Sequence, residues 1–137
     1  MDHSLRTIMK ISHTMTEDDT YAITICVATD SMLPLIKPKE KSNFLLCKTA
    51  PKIGDIVLMK FNDRLCCHRV IGRMYDYYLT KGDNCIWHDI KSTHQSEIYG
   101  FWVISGFKKQ LQNLFQKIKL LGYICCPVVL LYHFKKK

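Results

Sequence analysis

Apolar and polar positions alternate over most of the chain and change period near its end. Residues 21–28 alternate and are β-branched at Ile23, Thr24, Ile25 and Val27, which predicts a strand. Further strands are predicted over 43–48, 56–61, 65–74, 77–81 and 98–107, with an almost continuous apolar run in 56–61. Turn chemistry separates them: Pro51 to Asp55, Asn62-Asp63, Tyr75-Asp76 and Gly82-Asp83-Asn84. Asn62-Asp63 suits a tight hairpin turn without the usual glycine. Residues 85–97 read as an irregular loop. Six short strands of this kind predict a mainly β, antiparallel domain. Ahead of them, 4–16 carries a weak helical pattern, with Leu5, Ile8, Met9 and Ser12 on one side.

From Lys108 onward, Leu111, Leu114, Phe115 and Ile118 recur at helical spacing between Lys and Gln, so a C-terminal amphipathic helix is predicted. Residues 120–134 are then uncharged and mostly apolar. A membrane-spanning helix needs about 20 apolar residues, and Gly122 and Pro127 interrupt this run. Three readings follow, one of them a true membrane span of this run. The tail packs on the β domain of a cytoplasmic protein, or 120–137 lies on a membrane surface with Lys135, Lys136 and Lys137 at anionic headgroups. Membrane association through this tail is the localisation expected here. The chain accordingly divides into an N-terminal segment (1–20), a β domain (21–107) and a basic, apolar helix and tail (108–137).

Composition refines this picture at two points. The 137 residues are 47% hydrophobic and 23% charged, the balance of a folded globular chain. The net charge of +8 is uneven, because 108–137 holds seven lysines and no acid. These lysines flank an apolar run rather than aromatics, which argues against a nucleic-acid partner. Seven cysteines, two pairs of them adjacent in sequence, read as reduced thiols. Residues 1–15 hold no apolar core of a secretory signal.

The candidate chemistry rests on Ser31 and His68. A neutral serine hydroxyl is a weak nucleophile that needs a base within hydrogen-bond reach. Histidine suits that task, and a third group, usually a carboxylate, holds its tautomer. Taken singly, Ser31 reads as a turn or capping serine, His68 as an ordinary strand residue and Asp83 as a turn acid. Cys66, His68, Cys85 and His88 are zinc-ligand types, but their spacing matches no common zinc pattern.

In combination the stretches resemble a family. Thr29-Asp30-Ser31-Met32-Leu33-Pro34 is similar to the Ser-Met-x-Pro box of type I signal peptidases. Ile53-Gly54-Asp55-Ile56-Val57 resembles the family's Gly-Asp-Ile-Val strand, and His68-Arg69-Val70-Ile71-Gly72 the box of the general base. Gly82-Asp83-Asn84, with Asp89 beyond it, is similar to the Gly-Asp-Asn box. The four boxes follow in the family's order over 23–107. Histidine in place of the bacterial lysine resembles the endoplasmic-reticulum and archaeal branch. Thr29, Leu35 and Lys39-Glu40 depart from the family's usual residues, and its N-terminal transmembrane anchor has no counterpart here.

The resemblance implies a signal-peptidase-like β fold and a serine endopeptidase that cuts a peptide or preprotein after small residues, without metal or organic cofactor. It assigns Ser31 as nucleophile, His68 as general base and Asp89 as the orienting carboxylate, with Asp83 as the alternative for that position. Ser31 N–H and the Thr29 hydroxyl would form the oxyanion hole. The rival reading is a catalytically inactive peptidase fold that serves as a binding or interaction protein.

Overall fold

Seven antiparallel strands form one sheet in the computed structural model, which describes Asp2 to Ile124, the Ile124 side chain excepted. The elements are α1 (His3–Thr14), β1 (Tyr21–Cys26), β2 (Lys41–Leu46), β3 (Ile56–Phe61), β4 (Arg64–Met74), β5 (Tyr77–Lys81), β6 (Thr93–His94), β7 (Ile98–Trp102) and α2 (Phe107–Ile124). The strand order is β1-β2-β7-β3-β4-β5-β6. The chain divides after Val103 into two compact units, the first holding the whole sheet and the second α2.

The apolar run of β3 follows from its central position. Successive strand side chains point to opposite faces. Ile56 and Leu58 therefore join one cluster, with Leu5, Ile8, Met32, Phe44 and Trp102. Val57 and Met59 join another, with Val70, Tyr78 and Ile98. Both faces of the strand are covered, so no polar alternation survives in it. By contrast β1 ends the sheet and is largely exposed.

The hairpin between β3 and β4 is two residues long. Asn62 and Asp63 take φ of 49° and 59°, the left-handed region that a tight primed turn requires and that Asn and Asp tolerate. Backbones also meet closely at Gly100, where a Cβ would fall 2.2 Å from Leu45 O. Only glycine lets β7 lie against β2 there.

The structure bears out some sequence expectations and moves the bounds of others. The weak helix over 4–16 forms as α1, capped by the Asp2 carboxylate on Ser4 N–H at 3.2 Å. Its Leu5 and Ile8, one turn apart, are buried, each contributing about 1.5–3 kcal/mol. Residues 2–20 fall in the same compact unit as the sheet. β1 stops at Cys26 because the chain turns away to build the Ser31 loop, and β7 stops at Trp102. The expected loop 85–97 contains β6 and a short 3-10 helix, Gln95–Glu97. The C-terminal helix is present and continues past Gly122. Leu111, Leu114, Phe115 and Ile118 are exposed on it. Among the described residues, no helix is long and apolar enough to cross a membrane. Residues 125–137, which carry most of the tail expectation, lie outside the described residues.

Candidate active site

The loop between β1 and β2 is anchored through its apolar residues. Met32, Leu35 and Ile36 are fully buried, and Leu35 N–H and Ile36 N–H both donate to Met32 O at 3.1 Å. Leu33–Pro34 is a cis peptide within this turn. With Met32 held in the core, Ser31 is left at the rim, half-buried, facing β4.

The turn 82–84 fastens this loop from the opposite side. Asn84 N–H donates to Ser31 O at 2.8 Å, and Asn84 Nδ2 donates to Asp30 O at 3.2 Å. Gly82 is obligatory in this contact, since a Cβ there would lie 2.7 Å from Ser31 O. Asp83 faces away from Ser31 and is gripped by Arg69, with Nε to Oδ1 at 2.8 Å and Nη2 to Oδ2 at 2.9 Å. Arg69 Nη1 donates further to Gly54 O at 2.7 Å. Both side chains are buried, the guanidinium almost completely. Alternation along β4 thus gives neighbouring residues two tasks. Arg69 holds the turn from one face, and His68 looks toward Ser31 from the other.

His68 joins the nucleophile to a carboxylate. Its Nε2 lies 3.3 Å from Ser31 Oγ, and its Nδ1 lies 2.6 Å from Asp89 Oδ2. Asp89 is fixed by β5: its N–H donates to Thr80 O at 2.8 Å, and Thr80 Oγ1 donates to its Oδ2. A carboxylate on Nδ1 selects the tautomer with the proton there, which leaves the Nε2 lone pair facing Ser31. Thr29 Oγ1 lies 3.2 Å from Ser31 Oγ, so the hydroxyl assigned to the oxyanion stands beside the nucleophile.

Three of the predicted residues, Ser31, His68 and Asp89, are therefore brought together, with Thr29 adjacent. Asp83, the alternative orienting carboxylate, is not on the histidine; the buried Arg69 claims both of its oxygens. Sequence reasoning missed Thr80, Asn84 and Arg69 as supports. Arg69 was the findable one. An arginine inside a run as apolar as 67–71 must be paired with an acid if it is buried.

Burial works against the charged form of His68, but the hydrogen bond with Asp89 and the Cys66 thiol beside the ring outweigh it. The imidazole is therefore held above its ordinary 6.5. A cavity of about 700 Å³ opens over the dyad, walled on one side by Ile25 to Thr29 and on the other by Arg64 to His68. The loop that carries Asp89 also presents Ile86, Trp87 and Ile90 to solvent.

Among the described residues, no three His, Cys, Asp or Glu side chains are grouped so as to hold a metal ion. Of the zinc-type residues noted above, His68 is engaged at both nitrogens and His88 Nδ1 lies 2.8 Å from Asp89 O. Compared with models of known protein families and with curated proteins, the chain matches none.

Proposed function

We propose that the chain is a serine endopeptidase of the signal-peptidase kind, acting on a peptide or preprotein. One observation carries this reading. Three side chains from separate stretches form a continuous relay, Ser31 Oγ to His68 Nε2 at 3.3 Å and His68 Nδ1 to Asp89 Oδ2 at 2.6 Å. Turn serines and strand histidines have no need of such a relay. The order of the four sequence boxes supports the same reading. So does Lys39, which at φ 64° takes the conformation suited to the glycine usual in the family.

In the proposed mechanism an extended substrate enters the cavity beside residues 25–29, adding to the exposed edge that β1 presents. Ser31 Oγ attacks the scissile carbonyl while His68 Nε2 accepts its proton. Asp89 stabilises the imidazolium that forms and prevents the ring from turning. The oxyanion is held by Ser31 N–H and by Thr29 Oγ1, which swings from Ser31 Oγ to the developing charge. Such a donor is worth about 3–4 kcal/mol in the transition state. The imidazolium then protonates the leaving amine. Water, activated by the same ring, releases the acyl group.

The test is cleavage of a peptide library by the purified full chain, followed by labelling with a serine-directed phosphonate. Cuts after small residues, together with a phosphonate adduct on the Ser31 peptide, are expected. A folded sample that neither cuts nor takes the label would favour the binding-protein reading.

The pH profile follows from the state of His68. The base must be neutral, and its neutral form grows as pH rises. Because Asp89 and Cys66 hold the imidazole above 6.5, the acid limb of kcat/KM should have its midpoint above 6.5. A rate that stays flat from about pH 5 to 8 would remove His68 from the role of base.

A further inference from the structure

The second compact unit, which begins at Ile104, carries α2 with its faces reversed from those of an ordinary globular helix. At about 100° per residue, Phe107, Leu111, Leu114, Phe115, Ile118 and Leu121 fall in one stripe about 120° wide and about four turns long. Globular helices turn such a stripe toward a core. On α2 all six side chains are between 42% and 80% exposed, while Asn113 and Leu120 on the opposite side are buried.

Charge of one sign frames the stripe. Lys108 and Lys119 border it on the Phe115 side and Lys117 on the Leu121 side, and all three are exposed. Helix α2 contains no Asp or Glu, and the sequence has neither after Glu97. Lysines at the edges of an apolar stripe can lay their stems along it and keep their ammonium groups at the polar boundary. A second copy of this helix would bring lysine against lysine. A layer of anionic headgroups over hydrocarbon meets both the stripe and its borders.

We propose that α2 is a docking surface for an anionic lipid bilayer. The helix lies in the plane of the interface, with the stripe from Phe107 to Leu121 in the acyl boundary and Lys108, Lys117 and Lys119 among the headgroups. Two forces then act together. Burial of the stripe supplies the apolar term, and each lysine near an anionic surface strengthens binding about fivefold. Membrane contact is thereby assigned to the residues of α2 itself, apart from the tail 125–137. The surface does not rest on the peptidase reading, since a chain that cuts nothing would still dock.

The test is flotation of the full chain with vesicles of phosphatidylcholine alone, and with about one-third phosphatidylglycerol, over a range of lipid concentration. Binding to the anionic vesicles should be at least about tenfold tighter than to the neutral ones, and salt should weaken it. Leu114→Glu with Ile118→Glu sets two charges in the middle of the stripe and should cut binding at least about tenfold. Both positions are exposed, so thermal unfolding should match the parent. Lys108→Gln with Lys119→Gln leaves the stripe whole. It should weaken binding to anionic vesicles on the order of twentyfold and leave neutral vesicles unaffected. A chain that floats with neither vesicle, or equally with both, would overturn the proposal. So would parental binding by the Leu114→Glu, Ile118→Glu chain, which would assign the contact to other residues, the tail among them. A lipid-free dimer that this variant splits, without vesicle binding by the parent, would give the stripe to a second copy. Peptide cleavage by the same sample without vesicles reports on the peptidase reading separately.

Discussion

Ser31→Ala should lower kcat by about 10⁵–10⁶-fold, and His68→Ala by nearly the same factor, because the two side chains act as one unit. The double variant should be no worse than either single one. KM should change little, since the cavity walls at 25–29 and 64–68 are untouched. Neither side chain belongs to the apolar core clusters, and thermal unfolding should report folded protein in both. Asp89→Asn is a subtler disruption. The amide keeps the shape and the Thr80 contact but can place its N–H toward His68 Nδ1 and select the wrong tautomer. A loss of about 10⁴-fold in kcat is expected. The residual activity should also have its acid limb at lower pH than the parent, because the hydrogen-bonded carboxylate that raises the imidazole is gone. A Ser31→Ala chain that keeps a tenth of the parent rate would end the nucleophile assignment.

How much of this was legible in the sequence depended on whether the signal was local. β3 and β5 fall on the residues predicted, 56–61 and 77–81. Both are bounded by turns whose backbone demands are written in the residues, Asn62-Asp63 at one and Gly82 at the other. β6 has two residues, too few for any period to show, and it exists because β5 offers Tyr77 and Tyr78 a partner. The ends of β1 and β7 were misplaced for a related reason. Val27 and Val103 continue the β-branched and apolar pattern, yet the chain leaves the sheet where tertiary contacts dictate. Helix α1 was faint because only Leu5 and Ile8 of its residues are buried, and its start lay in an Asp2 cap that the apolar pattern does not register.

The candidate site divides in the same way. Ser31, His68 and Asp89 stood out because a linear pattern of four boxes carried them. The choice between Asp89 and Asp83 could not be made from spacing, since each follows β5 in a polar loop. A residue that no box marked as chemical separates the two in space. Arg69, buried beside His68, takes Asp83 and leaves Asp89 to the imidazole.

That arrangement makes Arg69 the residue whose loss should cost most in stability. Arg69→Met leaves the Asp83 carboxylate buried without its two guanidinium bonds and Gly54 O without a donor. Breaking a buried pair from one side costs about 3–5 kcal/mol. That is a large share of the 5–15 kcal/mol that hold an average domain together. A urea midpoint displaced by the equivalent of about 3 kcal/mol or more is the expected result. Replacing both partners, Arg69→Met with Asp83→Leu, removes the uncompensated charge and should recover most of the loss, short of the share owed to Gly54 O. Activity should not recover with it. The two-pronged pair fixes the turn in direction as well as in depth, and that turn supplies Asn84 to Ser31 O and Asp30 O. A packed leucine restores depth alone. The double variant should therefore be folded and slow, with kcat rather than KM affected. A double variant as fast as the parent would show that the Asn84 contacts position Ser31 without help from Arg69. A single Arg69→Met chain that loses less than about 1 kcal/mol would show that water reaches Asp83 and that the pair is not closed.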